Sequence, residues 1–238
     1  MIIVKEKKIL FFELPRTGTT SIRNKFLAEK IGEIHPGIIR HGSITKFKKN
    51  HKNYYEDFNI ISCVRNPMDR VLSLFLKMQR DHNNYFSKLD AKKKHTILEK
   101  RLLGRYHEIN NKNLSFDQYF LKYFKLPYVD WMYYDKKYCD KILRFENLQE
   151  DFTSLVEEYN LSIDDTLPTN NKLIGKPSYL KYYTPNTIKR AQFVFSEYFD
   201  KTGYNFPEDW GKYKTSTSQK ILSKITSMLY KFVNNNFK

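Results

Sequence analysis

The segment that most limits what this chain can fold into is KILFFELPRTGTTSIRNKF, residues 8–26. Residues 8–14 are a mainly apolar run that stops at Pro15, the pattern of a strand covered on both faces of a parallel sheet. Beyond it, Ile22, Phe26, Leu27 and Ile31 recur at helical spacing, and Gly32 is placed to end the helix. A strand, a tight turn and a helix in direct succession bring the first N–H groups of the helix, and the positive end of its dipole, to the turn. Gly18 lets a ligand approach the backbone closely. Thr17, Thr19, Thr20 and Ser21 add hydroxyls, and Arg16 adds a permanent cation whose planar fork suits phosphate or sulfate oxygens. Together these residues read as an anion site. The simpler reading is an ordinary helix capped by Thr19 or Thr20.

The same alternation continues. GIIRHG reads as a short strand ending at His41, and FNIISCV as a buried strand ending at Arg65. Asn66 is a good N-cap and Pro67 a good first helical residue, followed by Val71, Leu72, Phe75 and Leu76 on one apolar face. The first 80 residues therefore predict strand, helix, strand, strand, helix, the rhythm of an α/β fold with a central, mainly parallel sheet flanked by helices. Residues 81–113 are polar and lysine-rich and read as an insertion or as mobile helices. SFDQYFLKYF reads as a helix capped by Ser115, KILRFEN as a strand, LQEDFTSLVEEYNL as a helix and 162–182 as a loop. Thr184 and Pro185 open a further helix that Gly203 closes. The predicted organisation is one domain over 1–212 and a separate basic amphipathic helix over 213–238. In that helix Ile221, Leu222, Ile225, Met228, Leu229, Phe232 and Val233 form the apolar face, with Lys220, Lys224 and Lys231 on others. Packing on the domain, self-association and an anionic membrane surface are the three uses such a helix has.

Charge narrows the ligands. The chain carries 42 basic against 26 acidic residues, a formal net charge of +16 over 238 residues. Such a field attracts nucleotides, nucleic acid, acidic sugars or anionic lipid, although the lysines are spread in a way that compositional drift also produces. No helix-turn-helix, finger or RNA-recognition signature is present, so nucleic acid is not an expected partner. No apolar run approaches the ~20 residues of a membrane span, and the N-terminal residues lack the pattern of a signal peptide. The expectation is a cytoplasmic protein, with membrane-surface association through the last helix as an extension. Cys63 and Cys139 give neither a disulfide framework nor a metal cluster and read as reduced structural thiols, with no metal.

The identity of the anion depends on a second stretch. A nucleoside-triphosphate loop needs Gly-Lys-Ser/Thr at its end, which is missing here, as is a magnesium ligand set. This argues against the alternative of a P-loop small-molecule kinase. The second stretch is CVRNPMDRVLSLF, residues 63–75, with Arg65 at the carboxyl end of a strand, where open α/β sheets bind ligands. LPRTGTTSI and VRNPMDRVLSLF together resemble the two nucleotide-binding signatures of sulfotransferases that use 3′-phosphoadenosine 5′-phosphosulfate (PAPS). The likeness is strongest to the carbohydrate-sulfating branch, and SFDQYF, ILRFENLQEDF, LPTNN and YYTP…FSEYFDKTGYNF extend it to about residue 206. The resemblance implies a P-loop-like sulfotransferase domain. It implies that Arg16, Thr17, Gly18, Thr19, Thr20 and Ser21 hold the 5′-phosphosulfate and that Arg65 and Ser73 hold the 3′-phosphate. PAP would be the product, and a carbohydrate or glycolipid hydroxyl the acceptor. That family more often has lysine at the position of Arg16, so the geometry there would differ.

Transfer to a hydroxyl needs a proton acceptor, and histidine suits neutral pH. His41 lies between the two signatures, where the carbohydrate-sulfating branch places its catalytic histidine. His35 and His51 are the runners-up, His82, His95 and His107 lie in the polar stretch, and Glu13 is the carboxylate alternative. Lys176 and Lys181 are placed to approach the nucleotide or simply to be solvated. Glu146 has no assigned role.

Overall fold

The computed structural model describes residues 1–36, 40–51, 56–168 and 178–236. They fall into two compact units, Met1–Asn66 with Tyr134–Lys176, and Pro67–Tyr133 with Pro177–Lys238.

The first unit is built on a five-stranded sheet in the order β3-β1-β2-β4-β5. Its strands are β1 (Ile2–Val4), β2 (Ile9–Phe12), β3 (Glu33–Ile34), β4 (Asn59–Val64) and β5 (Lys141–Arg144). β2 runs parallel to β4, with Phe12 opposite Ser62, and β4 runs parallel to β5, with Val64 opposite Arg144. β1 is antiparallel to both β2 and β3. The sheet is thus mixed rather than mainly parallel. The reason is a hairpin that the sequence hides: β1 is only three residues long, and the turn to β2 is the charged run Lys5–Lys8, closed with Lys8 in the left-handed region at φ 49. The edge beyond β1 is formed by Glu33–Ile34, with neither residue buried. The strand expected over GIIRHG falls on Gly37, Ile38 and Ile39, which lie outside the described residues, while Arg40 and His41 stand in a turn.

Alternation along the strands sorts the core onto both faces. Ile2, Val4, Ile9, Phe11, Ile61, Cys63 and Leu143 face Ile22 and Phe26 of α1 (Thr19–Ala28) and Phe152, Leu155 and Val156 of α8 (Leu148–Glu158). Met1, Ile3, Leu10, Phe12 and Ile60 face Ile44 and Phe47 of α2 (Ile44–Asn50). The helix expected over 19–31 stops a turn early because Lys30 turns left-handed at φ 57, and the amides of Ile31 and Gly32 fold back on the Phe26 carbonyl. β2, β4 and β5 point the same way, so the segments Glu13–Gly18, Arg65–Asn66 and Phe145–Asn147 all leave one edge of the sheet.

The second unit is helical. α3 (Pro67–Gln79) starts on Pro67 and packs against α5 (Ile97–Asn111), α6 (Phe116–Tyr123) and α9 (Pro185–Thr202). Residues 81–113, read as a polar insertion or mobile helices, carry α4 (Tyr85–Asp90) and α5. Phe86, Leu89, Leu103 and Ile109 are buried there, few enough that the lysines mask them in composition. α5 opens with a reciprocal cap between Thr96 and Glu99, and α6 with one between Ser115 and Gln118. Phe75, Phe116, Tyr119, Phe120, Tyr183 and Phe195 form an aromatic core with ring centroids 5.1–6.5 Å apart. Beside it Asp130 is ion-paired with Arg70 and accepts from Tyr198 Oη at 3.2 Å. α7 (Trp131–Asp135) leads back to the first unit, and α10 (Thr217–Asn236) packs on α9.

Candidate functional site

In the turn after β2, Arg16 and Gly18 both adopt the left-handed region, at φ 65 and φ 78. Thr17 and Thr19 are buried, and both hydroxyls donate to the Leu14 carbonyl, at 2.9 and 3.1 Å. They hold the turn closed; their protons are already committed. Neither hydroxyl caps α1. Gly18 occupies the N-cap position with no side-chain cap, and the first-turn bond is Ser21 N–H to the Gly18 carbonyl at 3.0 Å. The first turn of α1 therefore has no side-chain cap, and Arg16 stands in the turn that leads into it.

The close approach at Gly18 is to the protein itself. A Cβ there would lie 2.5 Å from Leu148 Cδ2 and 2.9 Å from Phe145 Cδ2. The Phe145 ring also stacks under Arg65, whose guanidinium carbon is 4.0 Å from the ring centroid. Arg65 in turn donates from Nη1 to the Arg16 carbonyl at 3.0 Å. The ends of β2, β4 and β5 are thereby locked together by one aromatic ring and one guanidinium. Glu146 has a place in the same corner, its carboxylate accepting from the Asn66 N–H at 2.7 Å just ahead of α3.

Behind the turn, Glu13 is fully buried and gathers cations. Arg23 Nη1 lies 2.7 Å away, Arg40 Nε 3.0 Å and the Met1 ammonium 3.2 Å. Burial raises the Glu13 pKa, but the ammonium and the two guanidiniums outweigh it and hold the carboxyl below its ordinary value. Arg40 also donates from Nη2 to Thr20 Oγ1 at 2.9 Å, which ties this pair to the first turn of α1. The folded state therefore favours the ionised form. Its stabilisation is complete above the ordinary glutamate pKa of about 4.3 and is lost as pH falls through the lower folded value. Glu13→Gln is expected to cost about 3 kcal/mol at neutral pH. Thermal midpoints measured from pH 7 down to pH 3 should show the gap to wild type closing on the acid side.

His41 is placed by the same residue. Its Nδ1 is 2.9 Å from the Glu13 carbonyl oxygen. A carbonyl only accepts, so Nδ1 carries the proton and the lone pair of the neutral ring is on Nε2. The backbone of His41 is left-handed at φ 68, a conformation that costs a non-glycine residue about 1 kcal/mol. The segment after it is pinned by Asp135, which accepts from Ser43 Oγ at 3.1 Å and from the Ile44 N–H at 2.9 Å at the start of α2. His35 and His51 lie together instead, 5.2 Å apart, with the Phe47 ring stacked on His51 at 4.9 Å.

Arg16, Thr17, Gly18, Thr19, Thr20, Ser21, His41 and Arg65 thus belong to one corner of the first unit. Ser73 belongs to the second unit, buried in α3. Lys176 lies outside the described residues, and Lys181 is in a short turn at Tyr179–Tyr182. Arg40, Arg23, Phe145 and Leu148 take part in the corner without having been singled out from sequence. Arg40 alone left a trace, as the cation next to His41.

A model of the sulfotransferase family matches residues 1–202, from β1 to the end of α9. The chain belongs to the sulfotransferase family. The turn from Arg16 to Ser21, the Glu13 cluster and His41 all lie inside the matched span of this sulfotransferase-family chain, whereas α10 lies beyond it. An uncharacterized protein of Methanocaldococcus jannaschii is 26% identical over 129 residues, 54% of this chain and 11% of that protein. The chain therefore spans about a tenth of that relative's length. No solved structure matches the chain.

Proposed function

We propose that this sulfotransferase-family chain moves the sulfuryl group of PAPS to a hydroxyl of a carbohydrate, whether polysaccharide, oligosaccharide or glycolipid, with His41 as general base. The observation that carries the reading is the hydrogen bond from His41 Nδ1 to the carbonyl of Glu13, the residue that ends β2 and leads into the anion turn. With Nδ1 donating to that carbonyl, the nitrogen of the neutral imidazole that accepts a proton is Nε2.

The donor set fits an anion. Arg23 and Arg40 pair with the Glu13 carboxylate behind the turn, Arg65 bonds the Arg16 carbonyl, the Glu146 carboxylate is taken up by the Asn66 N–H, and the first turn of α1 has no side-chain cap. PAPS supplies an activated sulfuryl group and departs as PAP. The Arg16 guanidinium and the amides from Gly18 to Thr20 are assigned to the 5′-phosphosulfate, where charge spreads over peripheral oxygens during in-line transfer. Thr20 and Ser21 are the hydroxyls assigned to it directly, while Thr17 and Thr19 shape the turn. Arg65 and Ser73 are assigned to the 3′-phosphate. His41 Nε2 takes the acceptor's proton as its oxygen attacks sulfur. Glu13 is a poor candidate for that role, since its partners keep it ionised with a lowered pKa. It serves to position His41 and Arg40. Carbohydrate as the acceptor class rests on the motif likeness of LPRTGTTSI and VRNPMDRVLSLF to the carbohydrate-sulfating branch.

A thermal-shift comparison tests the donor assignment. PAP is expected to raise the unfolding midpoint by several degrees, as mass action requires of a ligand present at about a hundred times its Kd. ATP with Mg²⁺ and a DNA oligomer are expected to leave it unmoved. Stabilisation by ATP with Mg²⁺ alone would replace this reading with that of a kinase. Incubation of a polysaccharide panel with radiolabelled PAPS then identifies the acceptor, and label appearing in no carbohydrate would refute that part of the proposal.

A further inference from the structure

α10 leaves most of its apolar residues turned away from the rest of the second unit. The side facing that unit mixes Gln219, Ser223 and Thr226 with the half-buried Leu222, Tyr230 and Val233. Gln219 Nε2 donates to Tyr213 Oη at 2.8 Å, to the Phe193 carbonyl at 3.2 Å and to Ser196 Oγ at 3.2 Å. Ser223 is completely buried, and Tyr230 meets Trp131 edge-on at 5.7 Å. Just before the helix, Thr215 Oγ1 donates to Asp200 at 2.7 Å. The opposite side carries Ile221, Ile225, Met228, Leu229 and Phe232, exposed to between 49% and 68%. At 3.6 residues per turn these five form one continuous exposed apolar stripe along about three turns, the kind of contiguous patch that marks an interaction surface.

Charge chooses what covers it. Lys220, Lys224 and Lys231 lie on one flank of the stripe, and from Gly211 to Lys238 the chain holds six lysines and no aspartate or glutamate. Lys201 of α9 stands near Lys224 and Lys231. Burial first, and then these two ammonium groups, push its pKa down against the pull of Glu197. A two-fold partner would set the same lysines against themselves with no carboxylate on the helix to answer them. A surface of anionic lipid headgroups answers all of them and accepts the apolar stripe at once.

We propose that α10 docks this chain on an anionic lipid bilayer, lying in the plane of the interface with Ile221, Ile225, Met228 and Leu229 in the acyl boundary and the flanking lysines on the headgroups. The docked helix remains bonded to α9 through Gln219, so the body of the protein is held at the surface without rearranging. The inference stands apart from the sulfuryl-transfer reading, since it uses no residue of the anion turn.

Flotation of the full chain with phosphatidylcholine vesicles containing roughly 30% phosphatidylglycerol tests it. Binding is expected at physiological salt, at least about tenfold weaker to pure phosphatidylcholine and weakened by raised salt. The double variant Met228→Ser/Leu229→Ser should lose binding at least about tenfold while keeping its far-ultraviolet circular dichroism, since both side chains are exposed. No binding to the anionic vesicles, or equal binding by the variant, overturns the proposal. So does light scattering that finds a dimer dissolved by the same two substitutions, which would make a second copy the occupant.

Discussion

His41→Ala is expected to lower turnover by about 10²- to 10⁴-fold, the usual contribution of a positioned proton acceptor, with PAP affinity nearly unchanged. Alanine alone does not isolate the imidazole, because residue 41 sits at φ 68 and loses a hydrogen bond to the Glu13 carbonyl at the same time. His41→Asn separates the two. Asparagine tolerates the left-handed backbone and its amide can donate to the same carbonyl, but it offers no basic nitrogen. A comparable loss in both variants, measured as kcat with labelled PAPS and with PAP binding followed by calorimetry, assigns the proton transfer to the ring. Full turnover in His41→Asn would reduce His41 to a structural residue.

Gly18→Ala should damage binding more than any other single change in the turn. Two costs add. A side chain at φ 78 costs about 1–2 kcal/mol, and its Cβ would meet Leu148 Cδ2 at 2.5 Å and Phe145 Cδ2 at 2.9 Å, which overpacks the corner by a further 1–3 kcal/mol or so. Leu148 can swing its methyl aside, but Phe145 supports the Arg65 guanidinium 4.0 Å away. Movement of that ring therefore also displaces a cation assigned to the 3′-phosphate. The expected result is a thermal midpoint lower by roughly 5–10 °C and PAP affinity reduced at least about tenfold. Wild-type PAP affinity in a folded Gly18→Ala protein would remove the turn from the binding site.

The strands and helices nearest the site are legible in the chain because local rules act alone there. KILFFEL and FNIISCV are apolar for long enough to be strands, Pro67 opens α3, and Gly203 closes α9. The turn between β2 and α1 is also legible, since Pro15 ends the strand and Gly18 supplies the left-handed residue just before the helix. The mixed sheet is not, because β1 is too short to show a period and its partner is chosen by a hairpin through four charged residues. The packing of the helices in residues 81–113 is hidden for a related reason: a few buried side chains suffice once α3 supplies the opposing surface.

Local pattern was enough to predict that the chain is α/β, that a strand, a turn holding Gly18 and a helix succeed one another from residue 8 onward, and that its last helix has two unlike faces. It took the folded chain to show that Glu13 gathers Arg23 and Arg40, that its carbonyl sets the tautomer of His41, that Phe145 carries Arg65, and that α10 leaves its apolar stripe exposed. Turns and helix faces follow from neighbours within a few residues. Which cations share a buried carboxylate, and which face of a helix is covered, depend on groups brought together from distant parts of the chain, and no local pattern encodes them.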